Sequence, residues 1–323
     1  MNISTTSSPN VFDASQPGFL NVEAAAFFDQ QGYLIVENAL SADEVHEINE
    51  EAGRICRGEL GTFDGWQGPH DGQPDLEVFK QYLCIHFPHK ISPVMHGHLS
   101  HPAIVETLTG VIGPDVKCMQ SMLFIKASGK PGQAWHQDED YIPTRDRSLT
   151  GGWIALDDAT VDNGCLWVIP GSHKPGVLWP QAQQSDSRFD CAQESTGFPY
   201  TDDDAIPVEV KAGSIVFFNG YLLHRSLPNR APEGTFRRVL VNHYMSASSL
   251  LPWTNNLQTH DCFLDEGGGV SKADSRDIVM IAGQDPYAWM GLQDRHRPHV
   301  RPSGEGGCAK GVEAGKAPKS YGD

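Results

Sequence analysis

The sequence contains no apolar run of about 18 residues, the length a helix needs to cross a bilayer, so no membrane-spanning helix is expected in its 323 residues. Positive charge is scarce. Lys and Arg number 24 against 41 Asp and Glu, a formal net charge of −17. A surface of that sign repels nucleic acid and anionic membrane alike, which removes both from the expected partners. The opening stretch, MNISTTSSPNVFDASQPG, has neither a basic start nor an apolar core and does not read as a secretory signal. No C-x-x-C pair occurs. The seven cysteines are odd in number and scattered, which suits reduced thiols in a cytoplasmic protein better than a disulfide framework or a zinc knuckle. Internal repeats are also lacking.

What is present is an ordinary globular composition, 39% hydrophobic and 20% charged. The chain is long enough for one large domain or two small ones. Residues 1 to about 18 are rich in Ser, Thr, Pro and Asn and read as disordered, as does the Gly/Ala/Lys-rich tail 301–323. That leaves 19–300 as a single domain. Ala24 to Gln31 reads as a short helix, and the run Tyr33-Leu34-Ile35-Val36 as a strand. Ser41-Ala42-Asp43-Glu44 is a capping box, and the helix it opens carries Val45, Ile48, Ala52 and Ile55 on one stripe. From Val116 onward short strands dominate: Cys118 to Ile125, Ala134 to Asp138, Trp153 to Leu156, Cys165 to Ile169, Ile215 to Asn219 and Val239 to Tyr244. The fold class is therefore mainly β with a helical flank, a barrel or sandwich core. Two polar stretches, 59–74 and 179–207, are long enough to act as lids.

The chemistry concentrates in Trp135-His136-Gln137-Asp138, together with His224 and the pair Arg237-Arg238. An H-x-D step at a strand or strand end puts His136 and Asp138 on one face, because strand side chains alternate with period 2. A second histidine from a distant strand completes two nitrogens and one oxygen, the 2-His-1-carboxylate facial arrangement of non-haem Fe(II) oxygenases. The competing cluster, His96-Gly97-His98 among other histidines, has no carboxylate nearby at strand spacing and reads as solvated side chains.

Three phrases, in this order, carry a resemblance to a known family: His136-Gln137-Asp138 followed by acidic and aromatic residues; Asp162-Asn163-Gly164-Cys165-Leu166 running into Ile169-Pro170-Gly171-Ser172-His173; and His224-Arg225-Ser226 with Phe236-Arg237-Arg238. Over roughly residues 25–245 the chain resembles the phytanoyl-CoA dioxygenase family of Fe(II)/2-oxoglutarate-dependent oxygenases. The resemblance implies a double-stranded β-helix, a jelly-roll (cupin-like) core with helices on one side. It implies iron ligation by His136, Asp138 and His224, with 2-oxoglutarate and O2 as cosubstrates. The family's arginine for the distal carboxylate of 2-oxoglutarate comes about eleven residues after the second histidine, where this chain has Thr235. A two-residue lengthening of the turn at Ala231-Pro232-Glu233-Gly234 makes Arg237 the match and Arg238 the fallback; alternation lets only one of them face inward. Ser226 resembles the family's hydroxyl contact to the same carboxylate. Trp153 matches an aromatic lining the cosubstrate pocket, and Gln120 is a further candidate contact. His173 and Cys165 look structural. Halogenating relatives carry a small residue where this chain has Asp138, so hydroxylation of a C–H bond in a small organic molecule is expected, with release of succinate and CO2. The alternatives are a barrel that keeps the metal without turnover, as a binding or sensing module, and an O2-independent isomerase or hydrolase using another metal. Substrate identity and oligomeric state are not written in the sequence.

Overall fold

The computed structural model describes residues 11–16, 18–144, 146–190, 193–250 and 276–301. Among these residues fifteen strands run in chain order: β1 (Val11–Asp13), β2 (Tyr33–Glu37), β3 (Cys84–His86), β4 (Val116–Ala127), β5 (Gln133–His136), β6 (Thr150–Ala155), β7 (Leu166–Val168), β8 (Gln181–Gln183), β9 (Gln193–Ser195), β10 (Ile206–Val208), β11 (Ile215–Asn219), β12 (His224–Ser226), β13 (Phe236–Ser246), β14 (Val279–Ala282) and β15 (His299–Arg301). The helices are α1 (Val22–Gln31), α2 (Ala42–Arg57), α3 (Asp75–Phe79), α4 (Pro93–His98), α5 (Pro102–Val111) and the single turn α6 (Asp138–Tyr141). The large sheet follows the order β1-β2-β11-β6-β13-β4-β3-β15, with β14 also pairing with β4. A four-stranded sheet, β10-β7-β12-β5, faces it, and β8 and β9 form a separate hairpin. This is the expected mainly-β jelly roll.

Alternation within each strand of the large sheet decides what is buried where. Leu34, Val36, Ile154, Ile215, Phe217 and Leu240 pack outward against the α2 stripe of Val45, Ile48, Ala52 and Ile55. Their neighbours Tyr33, Ile35, Trp153, Val216, Phe218, Val239 and Val241 turn the other way and meet Leu166 and Val168 of the small sheet. Both faces of these strands are therefore covered, which is why the sequence reads as near-continuous apolar runs there. α2 begins with the capping box read from sequence: Ser41 Oγ accepts from the Glu44 N–H, and the Glu44 carboxylate accepts from the Ser41 N–H. α1 ends at Gly32 in the left-handed region (φ 80°). A Cβ at Gly32 would lie 2.4 Å from the His173 ring, so His173 packs there as a structural residue, with its Nε2 on the Asp29 carbonyl.

The N-terminal expectation is corrected. Residues read as disordered to about 18 enter the fold at Val11, where β1 pairs in parallel with β2 (Val11↔Ile35 to Asp13↔Glu37). Its few apolar residues supply the packing that composition hides: Val11 and Phe12 pack on the two core clusters, and Phe12 also meets Phe27 edge to face, centroids 6.4 Å apart. Residues 1–10 and the tail from 302 lie outside the described residues. The 179–207 excursion is also more ordered than its polarity suggests, holding β8, β9 and β10.

Because Ile48 is fully buried between α2 and the sheet while Glu47 faces solvent, Ile48→Ala should cost about 2–5 kcal/mol and Glu47→Ala less than about 0.5 kcal/mol. Urea unfolding of both variants measures the difference; equal costs would mean α2 does not pack as described.

Candidate metal centre

β12 lies between β5 and β7, and its register with β5 places His224 opposite His136. Close approach here depends on Gly132: a Cβ at that position would sit 2.0 Å from the Ser226 carbonyl oxygen. β5 ends at His136, and extended Gln137 (φ −126°, ψ 125°) carries the chain to Asp138, the first residue of α6. Asp138 thus reaches the face of His136 from a helical turn rather than from a longer strand. Gln137 points away, where its amide donates to the carbonyls of Val177 and Tyr221 at 2.9 and 2.8 Å and its oxygen accepts from the Trp179 N–H. The residue between the two others is thus the clamp that fixes both.

One donor atom from each of His136, Asp138 and His224 lies within 4.8 Å of the other two, and all three residues are buried. The backbone sets the imidazole tautomers. His136 Nδ1 is 2.8 Å from the Ala134 carbonyl and His224 Nδ1 is 2.9 Å from the Leu222 carbonyl. A carbonyl only accepts, so each Nδ1 carries the proton and each Nε2 presents a lone pair. Those Nε2 atoms stand 3.7 and 3.6 Å from Asp138 Oδ1. Burial, reinforced by the neighbouring His224, lowers the His136 pKa to about 3, which keeps its imidazole neutral. For Asp138, burial acts upward, but His224 and His243 outweigh it and hold the carboxylate below its usual range. Two imidazole nitrogens and one carboxylate oxygen, buried and directed at one point, fit a divalent transition metal, with the remaining positions open to other ligands. Among the described residues no other group of three such side chains converges this way. His98, from the competing cluster, instead engages the Val94 carbonyl and stacks on His101.

The triad opens on a cavity of about 350 Å³. Arg237 lies in its wall, 4% exposed, with its guanidinium 5.5 Å from the Trp153 ring centroid. Its Nε donates to the Gly164 carbonyl at 3.1 Å, and its terminal amino groups have no acceptor among the described residues. Burial lowers its pKa only to about 10, so it remains charged. Arg238 faces the opposite way and forms a two-pronged pair with Asp157, at 2.9 and 2.6 Å. Alternation along β13 separates them as expected, and only Arg237 faces the cavity. Ser226 and Gln120 also line it. Gln120, however, lies opposite His243 rather than Arg237 in the β4–β13 ladder. That is six residues along the strand from Lys126, roughly 20 Å at the usual rise, and there Gln120 donates to His86 Nδ1. Cys165 is buried with its thiol pKa raised to about 12 by burial, so it is not a nucleophile.

Three cavity groups were missed in the sequence reading. His243 Nε2 donates to Asp138 Oδ2 at 3.1 Å. Lys126 stands directly across from Arg237. Asp190, from the 179–207 excursion, pairs with Arg301 of β15 at the cavity wall. The first two were within reach, because counting by twos along β13 from Arg237 gives Val239, Val241 and His243, and along β4 from Gln120 gives Met122, Phe124 and Lys126. The last pair joins segments more than a hundred residues apart and left no local signal.

A jelly roll that gathers two imidazoles and one carboxylate in a buried cavity is the arrangement of non-haem iron oxygenases. A family model described as phytanoyl-CoA dioxygenase matches residues 28–239. A phytanoyl-CoA dioxygenase of Arabidopsis thaliana is 30% identical over 246 residues, 66% of this chain and 84% of that protein. Phytanoyl-CoA dioxygenase 1 of Oryza sativa subsp. japonica is 29% identical over 245 residues, covering 67% and 86%. Among solved structures, a non-heme monooxygenase, ThoJ, superposes with a TM-score of 0.60 at 20% identity over 85% of this chain and 88% of that one. EctD from S. alaskensis gives 0.55 at 23% identity over 72% and 79%. The chain belongs to the phytanoyl-CoA dioxygenase family. It is an enzyme of the iron- and 2-oxoglutarate-dependent dioxygenase class.

Since His243 holds the carboxylate of Asp138, His243→Phe should weaken Mn(II) binding by about 10- to 100-fold without unfolding the protein. Titration followed by water-proton relaxation reads this, and an unchanged affinity would show that Asp138 is oriented without it.

Proposed function

We propose that His136, Asp138 and His224 ligate Fe(II), and that Arg237, with Ser226 and Trp153, receives the distal carboxylate of 2-oxoglutarate in a hydroxylase acting on a small organic molecule. One observation carries this reading: a neutral-imidazole triad and a buried arginine with an unfilled fork share one 350 Å³ cavity. When bound, iron and the keto acid activate O2 to oxidise a C–H bond, releasing succinate and CO2.

The chain's own residues do the positioning. Asp138 contributes the only negative charge among the three donors, so a dianionic cosubstrate brings the site close to neutral, as a dry cavity requires. Arg237 offers a planar fork that matches a carboxylate in two-pronged geometry and stays charged at any working pH. Trp153 covers the guanidinium and keeps water from it. The apolar wall of Met122, Phe124, Leu166, Phe218 and Val241 excludes solvent from the space beside the triad, where the substrate C–H would lie. The cavity is at the small end for ligand sites, and the cosubstrate takes part of it. A CoA thioester could place only its acyl end inside, leaving an anionic nucleotide against a protein of net charge −17. A compact substrate fits better.

Two measurements test the assignment. Asp138→Ala should abolish succinate release from 2-oxoglutarate; wild-type turnover would remove Asp138 from the metal site. Arg237→Ala should raise the apparent KM for 2-oxoglutarate by at least about tenfold, and Arg238→Ala much less. The reverse ranking would show that the cavity-facing arginine is not the one that binds the keto acid.

A further inference from the structure

Resting on the oxygenase reading above, we propose that His86 is a specificity-determining residue on the substrate side of the cavity. Its Nε2–H is held as a donor for an acceptor oxygen, of carbonyl type, on the molecule that is oxidised.

Met122 of β4 has Val241 opposite it on β13 and His86 opposite it on β3, so all three share the cavity face, and all three line the cavity. Met122 is four residues along β4 from Lys126, roughly 13 Å at the usual rise. His86 therefore stands away from the end assigned to the keto acid's distal carboxylate. It lies instead one row from Gln120–His243, and His243 holds the Asp138 carboxylate. Among the described residues His86 bonds to none of the three metal donors, yet it faces the same space beside them.

Its hydrogen bonding fixes which nitrogen carries the proton. An amide nitrogen only donates, so the contact from Gln120 Nε2 at 3.2 Å makes His86 Nδ1 the acceptor. Burial lowers the His86 pKa well below its ordinary value, and the charges of His299, Arg301 and His243 act the same way. The ring is thus neutral, with its one proton on Nε2. That nitrogen has no partner among the described residues and is not sealed off by protein, so the space before it is the cavity. The ring cannot swing away freely. It stacks on His299, centroids 4.7 Å apart and 7° from parallel, and tilts against Phe87 at 6.3 Å.

The wall beside it is apolar, so a hydrocarbon frame fits there with one oxygen turned toward β3. Arg301, the other charged group on this side, is already paired with Asp190, so the ligand need not be an anion. An ammonium would meet the N–H proton to proton and leave both donors unpaired, which selects against it. A single fixed donor also decides which C–H bond of the frame lies nearest the metal. Gln120 is the positioning residue behind that donor.

The test titrates two probes of one shape into the protein loaded with Zn(II) and 2-oxoglutarate: cyclohexanone, which has an acceptor oxygen, and methylenecyclohexane, which has none. Ligand-observed NMR reads both affinities. His86→Phe should weaken cyclohexanone by about 5- to 50-fold and leave methylenecyclohexane within about twofold. His86→Gln, which keeps an N–H at similar reach, should recover most of that loss. Gln120→Leu, which frees the tautomer, should cost cyclohexanone a smaller part of it. Unchanged cyclohexanone affinity in His86→Phe overturns the proposal, as does an equal loss for both probes, which would mark a change of cavity shape. No binding of cyclohexanone to the wild-type protein overturns it too. Should His86→Phe fail to fold, the wild-type imidazole 15N shifts decide, assigned by their absence from His86→Gln. A protonated Nε2 that moves when cyclohexanone is added sustains the proposal; a protonated Nδ1, or an unmoved Nε2, overturns it. Failure of the Zn(II)-loaded wild-type protein to bind 2-oxoglutarate would instead sink the underlying oxygenase reading.

Discussion

The pairing of His224 with His136 across β12 and β5 constrains everything around it. A metal site needs lone pairs that converge before the metal arrives, and imidazoles on separate strands meet only in one register. Each ring is held in the required tautomer by a carbonyl two residues before it in its own chain, at 2.8 and 2.9 Å. The same i, i−2 geometry recurs on both strands, so the extended backbone alone selects which nitrogen faces the cavity. Gly132 permits the strands to close, and the Phe218 ring, 4.7 Å from that of His224, packs against it from the large sheet. The third ligand candidate is added differently. Asp138 leaves the strand, enters a helical turn, and is fixed from outside by Gln137 and from inside by His243.

A second constraint is electrostatic. The cavity face of the β4–β13 ladder reads Lys126–Arg237, Phe124–Val239, Met122–Val241 and Gln120–His243. Basic side chains sit at one end, apolar pairs fill the middle, and Gln120 and His243 occupy the other end beside the triad's carboxylate. Such a gradient gives the cavity two chemically different ends, built by the strands alone. Burial and the neighbouring Arg237 lower the Lys126 pKa well below its ordinary value, and no carboxylate bonds to either side chain among the described residues. Whatever anion fills that end stabilises the folded state by mass action.

Much of this was readable in the residues, for identifiable reasons. The β11 run Ile215–Asn219 was read to the residue, because it is covered on both faces and bounded by a turn. Period-2 alternation put His136 and Asp138 on one face and let only one of Arg237 and Arg238 face inward, while the resemblance to the family picked out His224 and Arg237. β1 was invisible, since three residues in a Ser/Pro-rich segment carry too little signal against its composition. His243 and Lys126 were hidden for a different reason. Lys126 lies one residue past the expected strand end at Ile125, and His243, inside the expected strand Val239 to Tyr244, was not traced to the cavity face by counting on from Arg237. Gln120 was placed on the right strand and face, but sequence cannot say which end of a 12-residue strand abuts which ligand.

The phrase Asp162-Asn163-Gly164-Cys165 shows why a motif need contain no reactive side chain to matter for the chemistry. Asn163 folds its own turn, its oxygen accepting from the Thr160 N–H at 2.8 Å and its amide donating to the Asp158 carbonyl at 2.7 Å. Gly164 then adopts φ 82°, and a Cβ there would meet the Leu227 carbonyl oxygen at 2.3 Å and Lys126 Nζ at 3.1 Å. Only glycine brings a bare carbonyl to the spot where Arg237 and Lys126 need a common acceptor. The strands supply the charged groups and alternation aims them, while this turn sets how far apart the two cations stand. A substitution that kept every side chain of the cavity but moved the Gly164 carbonyl would leave the metal donors in place and withdraw the acceptor that Arg237 and Lys126 share.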